Sequence, residues 1–532
     1  MKELERFDTL DFLGQVNLLD SLVQNGSLEA LPDVIQLMER IPRSDAIGLV
    51  IRNTLKGLLS SGEDQTAQCI ASDNREVKTI AIEVAGQKRF AGAAGALLEE
   101  ARKAAGRQEY GVLFAAISAL SAIGTAEAFD LFRECMDSED PLISSQCIEI
   151  LGELRDEASV GRLCGIVSRS DAQGASGECD LPTASAITAL GRIRGSEAVS
   201  FLVSKLHHRS PAARRLIHEA LAAAGAESVG PLAEVFQEDD VDKKILAANI
   251  LGLIGSREAG DVLVRALDKG QALHPNIRFA VYEAMGRTPG MKTLVCLADG
   301  LEETDQMVLM AVISSLDVQL NPWIRDRMAE SIRKGTAHSS ALVKAIAASR
   351  SLNIFEALFG LDEAIGALIA DAVRDSGDGE LTEQFRGKLK EMGTNKALAI
   401  AAGLEGKAGN TGGRKILAVD DSKAMLNYYQ SITASMGLTI ATAENGRQGL
   451  DVLAAGEPFC LVITDMNMPV MDGIEFTRQV RDFPDFEGLP VIMITTESER
   501  SQQVIAREAG VTEFLQKPFS MEKLRELIGR YL

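Results

Sequence analysis

The chain has 532 residues and a formal net charge of −21 at pH 7, and this length predicts several domains. Such acidity argues against a nucleic-acid groove or a surface for anionic membranes. Seven scattered cysteines include no C-x-x-C pair and indicate reduced thiols. The start, MKELERFDTLDFLGQV, lacks signal-peptide features, and no run reaches the ~18 apolar residues of a membrane span. We therefore expect a cytoplasmic protein with no nucleic acid and no membrane insertion.

The first predicted elements belong to a repeat. One phrase returns between about residues 84 and 300, for example as ALSAIGTAEAFDLFRECM from Ala119, ALGRIRGSEAVSFLVSKL from Ala189 and ILGLIGSREAGDVLVRAL from Ile250. Successive phrases begin 30 to 39 residues apart. A near-constant period of this size predicts a solenoid, in which each unit buries its apolar face against its neighbours.

Each repeat reads as a pair of helices. We expect a left-handed glycine to end the first helix and a hydroxyl side chain to cap the second. The glycines are Gly124, Gly195 and Gly255, and the hydroxyl residues are Thr125, Ser196 and Ser256.

With a proline near the start of several first helices (Pro141, Pro211, Pro275), the pattern resembles HEAT repeats. The resemblance is clearest over about residues 70–300 and implies an all-α HEAT-like solenoid that offers a long groove to another protein. The helix-like flanks on either side are expected to be caps.

A Gly-rich stretch, LEGKAGNTGG (404–413), separates the two halves of the chain. Ten such residues behave as a flexible coil with an r.m.s. span of roughly 17 Å. We therefore expect a solenoid over residues 1–403, a linker over 404–413 and a second domain over 414–532.

The second domain alternates strands and helices. Alternation of five short apolar strands with helices predicts a doubly wound parallel sheet, which binds ligands where its strands end. The strands read KILAV (415–419), LTIATA (438–443), CLVITD (460–465), PVIMIT (490–495) and TEFLQ (512–516).

Carboxylates follow two of these strands. Asp420 and Asp421 come after the first strand, and Asp465 ends the third. In the strand order 2-1-3-4-5 these strands are neighbours, and three converging carboxylates need a cation, for which all-oxygen ligands favour Mg²⁺. Thr495 and Lys517 end the fourth and fifth strands and supply groups suited to a transferring phosphoryl oxygen. Asp465 is therefore predicted to be the nucleophile that becomes an acyl phosphate.

Residues 414–532 resemble the response-regulator receiver domain, a CheY-like, flavodoxin-like (βα)5 fold with parallel sheet order 2-1-3-4-5. The resemblance implies that Asp465 is the phosphoacceptor and that Asp420 and Asp421 form the metal-side acidic pair. It also implies that Asp465 and the backbone carbonyl of Asn467 bind Mg²⁺.

The same resemblance implies roles for the later strand ends. Thr495 is expected to turn its hydroxyl toward the phosphoryl group, Phe514 to act as the aromatic switch, and Lys517 to precede a cis Pro518. The positions two beyond Asp465 and two beyond Thr495 tune hydrolysis in this family. Here they are Asn467 and Glu497, which implies a short-lived acyl phosphate.

The interpretation we favour is a two-component response regulator, not an enzyme beyond its self-dephosphorylation. A sensor histidine kinase or phosphotransfer protein donates the phosphoryl group, and the HEAT-like solenoid binds an unknown protein. The face made by the fourth strand, fifth strand and last helix is expected to dock on the repeats, or on a second copy of the chain, in one phosphorylation state, so that release exposes the groove to its partner. One alternative is a phosphate sink without output, which would have no phosphorylation-dependent partner. Another is a HEAT-like lyase-type enzyme regulated by the receiver, although the repeats show no paired catalytic constellation.

Overall fold

The computed structural model describes residues 4–173, 179–404, 414–495, 500–517 and 519–532. The chain divides into two compact units, Met1–Leu163 and Cys164–Leu532. The predicted linker beyond Leu404, the hydrolysis-tuning Glu497 and the predicted cis Pro518 lie outside the described residues.

The first unit is built from helices whose alternate members pack in succession, α3 on α5, α5 on α7 and α7 on α9. Short 3-10 turns occur at Leu4–Thr9, Leu28–Ala30, Ala91–Ala93 and Glu157–Ser159. The helices are α1 (Phe12–Asn25), α2 (Leu31–Arg40), α3 (Ala46–Leu59), α4 (Glu63–Ile70), α5 (Arg75–Lys88), α6 (Ala94–Gly106), α7 (Tyr110–Ile123), α8 (Ala128–Cys135), α9 (Pro141–Glu153) and the start of α10 (Val160–Gln173).

The second unit continues the same arrangement, and its odd-numbered helices from α11 to α23 pack one on the next. This is the packing that the predicted helical repeat requires. A 3-10 turn lies at Gly300–Glu302. The helices are α11 (Leu181–Ile193), α12 (Ser196–Ser204), α13 (Pro211–Ala224), α14 (Ala226–Val235), α15 (Val241–Ile254), α16 (Arg257–Asp268), α17 (Pro275–Arg287), α18 (Met291–Asp299), α19 (Gln306–Val318), α20 (Pro322–Arg333), α21 (Ala337–Ala348), α22 (Leu352–Leu361), α23 (Glu363–Ser376), α24 (Gly379–Met392) and α25 (Asn395–Gly403).

Two of the three predicted glycine helix ends are confirmed. Gly124 and Gly255 end α7 and α15 with φ of 78° and 63°, a conformation that favours glycine because it has no Cβ. The prediction for Gly195 is wrong, because Arg194 takes the left-handed position with φ of 61° and Gly195 becomes the N-cap of α12.

The hydroxyl caps are confirmed at one position of three. Ser256 caps α16, and its side chain accepts a hydrogen bond from the Ala259 backbone N–H. Thr125 does not cap α8, whose N-cap is Glu127. Ser196 lies one residue inside α12, because the preceding helix ends one residue earlier than predicted.

The end of the second unit is a five-stranded parallel sheet in the predicted order β2-β1-β3-β4-β5. Each strand lies within one residue of its predicted bounds. The strands are β1 (Lys415–Val419), β2 (Thr439–Ala443), β3 (Phe459–Asp465), β4 (Val491–Thr495) and β5 (Glu513–Gln516), and the helices are α26 (Lys423–Ser435), α27 (Gly446–Ala454), α28 (Gly473–Asp482), α29 (Arg500–Glu508) and α30 (Met521–Arg530), with a 3-10 turn at Pro484–Phe486.

Apolar clusters bury this sheet. One includes Val419, Val462 and Phe476, and the other contains Met466 and Met493. Every residue of β4 is buried, as expected for a parallel strand covered on both faces. Polar side chains are therefore displaced to the strand ends. Within the described residues, no helix combines the length and apolar character that a bilayer crossing requires.

The sheet domain contacts the repeat helices of its own unit mainly through α26, which lies against α19, α21 and α23. Asn427 of α26 donates a hydrogen bond of 2.8 Å from its side-chain nitrogen to the backbone carbonyl of Ser349. This contact uses α26 and not the face of β4, β5 and α30, whose docking in one phosphorylation state stays a prediction.

Candidate phosphoacceptor site

Asp465 ends β3 between the neighbouring strands β1 and β4. Its Oδ2 accepts a hydrogen bond of 2.9 Å from the Asn467 backbone N–H. Its Oδ1 lies 2.7 Å from the Nζ of Lys517, which follows β5. Both carboxylate oxygens are thus oriented, and the residue is only 9% exposed.

Asp420 follows β1 and shares the same lysine, since its Oδ2 lies 3.4 Å from the Nζ of Lys517. The carboxylate also accepts hydrogen bonds of 3.0 Å from the Ser422 backbone N–H and from the Tyr429 hydroxyl. Sequence reasoning missed Tyr429. The available signal was its place in the helix that follows Asp421, where a helix packed on the sheet turns side chains toward the strand ends.

Burial raises the pKa of Asp420 to about 6, with Asp465 adding to the shift and Lys517 opposing it. Burial also raises the pKa of Asp421 well above its usual range, and its neighbours Asp420 and Asp465 raise it further. Burial alone would lower the pKa of Lys517, but the two facing carboxylates outweigh it and the pKa rises. Lys517 therefore stays positively charged, but its single charge does not fully balance the negative charge of the nearby carboxylates.

The predicted metal side of the site is a cavity of about 70 Å³ lined by Asp420, Asp421, Asp465, Asn467 and Lys517. Among the described residues, no three acidic, His or Cys side chains already surround a metal position. The donor set nevertheless fits Mg²⁺, which keeps several waters and takes only one or two carboxylates directly. Excess negative charge in a buried cavity also favours a cation there.

Thr495 and Phe514 lie on the other side of Asp465. Thr495 ends β4, is buried, and donates from its hydroxyl to the sulfur of Met466 at 3.6 Å. Phe514 is half-buried on β5 and packs against the cluster that contains Met466. Met466 therefore contacts Thr495 and belongs to the cluster on which Phe514 packs, an arrangement that strand patterning does not predict.

The stretch VMDG after the site makes a tight turn. A side chain at Gly473 would place its Cβ 2.1 Å from the carbonyl oxygen of Asp465, so the backbone comes close only because this residue is glycine. Asp472 caps α28 by accepting from the backbone N–H groups of Ile474 and Glu475. The turn thus fixes the backbone at the residue that carries the nucleophile.

Family models match two parts of this chain. A response regulator receiver domain model matches residues 416–529, which contain the sheet and every strand-end residue described above. A HEAT repeat model matches residues 63–152 and 229–317, which confirms the repeats predicted from periodicity.

A chemotaxis protein CheY homolog of Campylobacter jejuni is 36% identical over 120 residues, which is 22% of this chain and 92% of that relative. The solved structure of Vibrio cholerae CheY4 shares 35% identity, covers 23% of this chain and 99% of CheY4, and has a TM-score of 0.22. The receiver domain of a Pseudomonas aeruginosa sensor histidine kinase, solved with a magnesium ion in its active-site cleft, is 24% identical, covers 22% of this chain and 97% of that domain, and has a TM-score of 0.21. This chain belongs to the response-regulator family, with HEAT repeats preceding a CheY-like receiver domain.

Proposed function

We propose that this protein is a phosphorylation-controlled protein-binding regulator. A sensor histidine kinase or phosphotransfer protein supplies the phosphoryl group. Residues 1–403 act as the protein-binding solenoid, residues 404–413 as the linker and residues 414–532 as the phosphorylated domain. The observation that carries the proposal is the contact of one buried ammonium group, Lys517, with both Asp465 and Asp420.

Asp465 is the nucleophile in this proposal. One of its carboxylate oxygens attacks phosphorus, the bond from phosphorus to the donor's nitrogen or oxygen breaks, and an acyl phosphate forms. The ammonium of Lys517 lies against Asp465, where it stabilises negative charge on the transferring oxygens. Asp420, Asp421, Asp465 and the Asn467 carbonyl would hold Mg²⁺, directly or through its bound waters, and the ion would supply further charge neutralisation.

The remaining site residues have proposed roles after transfer. The hydroxyl of Thr495 turns from Met466 toward the phosphoryl oxygens, and Phe514 moves into the space that this leaves. Asn467 and Glu497 position the water that hydrolyses the acyl phosphate, so the label is expected to decay on its own. Persistence of the label for many hours at neutral pH would contradict this assignment.

The direct test is phosphorylation of the full chain by a small acyl-phosphate donor, followed by intact-mass spectrometry. One added phosphoryl group is expected in the presence of Mg²⁺ and none after the metal is chelated. Asp465→Asn is expected to remain unlabelled. Equal labelling of that variant would show that Asp465 is not the acceptor.

A further inference from the structure

Helices of the HEAT repeats form part of the lining of the phosphoacceptor cavity. The cavity of about 70 Å³ is lined by the five receiver residues described above and also by Asn249 of α15, Glu283 and Arg287 of α17, and Met307 of α19. Such a volume holds only a few water molecules. Asp465 therefore faces a small space whose far wall belongs to the repeats.

An adjoining cavity of about 70 Å³ extends this contact to α13. Arg214 and His218 line it together with Asp421 and Asn467 of the receiver. The guanidinium groups of Arg214 and Arg215 also oppose the rise in the pKa of Asp472 that burial causes, so basic residues of α13 lie near an acidic helix cap of the receiver. The acidic edge of the sheet is thus covered by α13, α15 and α17.

Glu283 is the repeat residue with the most direct relation to the site. It is half-buried and lines the phosphoacceptor cavity. Burial raises the pKa of its carboxyl group, while Arg287 and hydrogen bonding with Ser422, the N-cap of α26, lower it. Its charge adds to the rise in the pKa of Asp421. A helix of the repeats therefore directs a carboxylate at the residues that are proposed to bind Mg²⁺ and phosphoryl.

We propose that Glu283 is a positioning residue of the phosphoacceptor site that holds the receiver on the repeats only while Asp465 is unphosphorylated. Docking then shields Asp465 from phosphoryl donors, and phosphorylation releases the receiver. This inference rests on the proposed function, because it requires Asp465 to accept the phosphoryl group.

The charge of the phosphoryl group and the access of a donor to Asp465 both support this proposal. A phosphoryl group on an amino acid side chain carries about −1.5 to −2 charge at pH 7, and the docked cavity places it opposite the Glu283 carboxylate in surroundings with little water to screen repulsion. A phosphoryl donor reaches Asp465 through this cavity, and the repeat helices along its wall narrow the approach to a volume of about 70 Å³. Transfer is therefore slower in the docked state than in the undocked one.

Arg287 and Arg214 oppose this effect, since their positive charges attract a phosphoryl group. If they dominate, phosphorylation tightens docking instead of releasing it. The two outcomes have opposite signs in a measurement of hydrogen exchange in α17 (Pro275–Arg287) and α26 (Lys423–Ser435), which separates them without knowledge of any partner.

The experiment compares the full chain with Glu283→Gln and Asn427→Asp. Asn427 joins α26 to the Ser349 carbonyl and lies outside the phosphoacceptor site, so its variant weakens docking without changing the site. Matched controls are Glu330→Gln and Asn395→Asp, at exposed positions of α20 and α25. Exchange is measured with and without Mg²⁺ and beryllofluoride, and labelling by a small acyl-phosphate donor is followed by intact mass.

In the wild type and both controls, beryllofluoride is expected to speed exchange in α17 and α26. In Glu283→Gln this acceleration should fall about five-fold, the effect of one interaction of about 1 kcal/mol. In Asn427→Asp exchange should already be fast without beryllofluoride, and the initial labelling rate should rise by about the same factor.

Two results would overturn the inference while leaving the proposed function standing. One is slower or unchanged exchange in α17 when beryllofluoride binds. The other is labelling of Asn427→Asp at or below the wild-type rate. If neither the wild type nor any variant, including Asn427→Asp, accepts a phosphoryl group at Asp465, the proposed function fails and the inference fails with it.

Discussion

Lys517 balances the charge of the acidic site, since its ammonium contacts Asp465 at 2.7 Å and Asp420 at 3.4 Å. A divalent cation bound to the same carboxylates is repelled by this neighbouring positive charge. We therefore expect Lys517→Gln to bind Mg²⁺ more tightly, by about ten-fold for the loss of one partly screened repulsion, while losing phosphoryl transfer.

Titration calorimetry with Mg²⁺ checks this prediction on the full chain. Lys423→Gln is the matched control, because Lys423 is three residues beyond Asp420 but its side chain is 78% exposed, so its charge is screened by water. Weaker Mg²⁺ binding by Lys517→Gln than by the control would show that the lysine organises the metal ligands instead of competing with the metal.

His218 of α13 is predicted to make the stability of the folded protein depend on pH. Its Nε2 has no hydrogen-bond partner among the described residues, and burial lowers its pKa to about 4. The unfolded chain binds a proton near pH 6.5, so stability is complete above pH 6.5 and falls as the pH drops toward 4. The sequence does not reveal this burial, because a single helix does not show what covers it.

His218→Gln removes this titration. Between pH 7.5 and pH 5 the free energy of unfolding falls in the wild type. In His218→Gln this fall should be smaller by about 1–2 kcal/mol. Thermal unfolding of both proteins at the two pH values measures the difference. An equal change in midpoint for the two proteins would mean that His218 does not contribute to acid sensitivity.

At the scale of elements, a glycine in the repeated phrase sets how closely alternate helices approach. A Cβ at Gly191 of α11 would lie 2.7 Å from the Cβ of Ala220 in α13, and one at Gly252 of α15 would lie 2.9 Å from Ala284 in α17. The phrase therefore repeats for a packing reason as well as for its helix ends.

Gly191→Ala should destabilise the repeats by about 1–3 kcal/mol, as overpacking of a tight contact does. Gly387→Ala is the control, because Gly387 lies inside α24 with no atom within 4 Å of an added Cβ. That change should stabilise by about 0.5–1 kcal/mol, since alanine favours a helix. Thermal unfolding compares the two, and a shift of the same sign in both would contradict the packing role of Gly191.

The strands and the acidic site could be predicted because their signals are local. Each buried strand is a short apolar run, and parallel strands bring their ends to one edge, so Asp420, Asp465 and Lys517 had to meet. The contact of α26 with the repeats and the position of Glu283 at the cavity could not be predicted. Glu283 lies in a repeat helix more than a hundred residues before Asp420, and no local pattern records which helix faces of two domains meet.

At the scale of the whole molecule, tethering and phosphorylation act on one equilibrium. The linker predicted over residues 404–413 would give an effective concentration in the millimolar range, so docking would need only a free energy of about −4 kcal/mol, that of a millimolar complex, to be half populated. Coupling between two sites typically supplies about 1–3 kcal/mol. Phosphorylation therefore shifts docking substantially only if the docked state is marginal, as a contact made largely by α26 and the acidic edge suggests.

Small-angle scattering tests this shift in the full chain. With Mg²⁺ and beryllofluoride, release of the receiver on the predicted linker should raise the radius of gyration by about 3 Å. Asp465→Asn should show no change with the same additions, and Glu283→Gln should show a smaller change than wild type. If a protein that demonstrably binds beryllofluoride keeps both its dimensions and its oligomeric state, the receiver stays docked when activated. The helix faces of α13, α15 and α17 are then not the surface through which phosphorylation is transmitted to a partner.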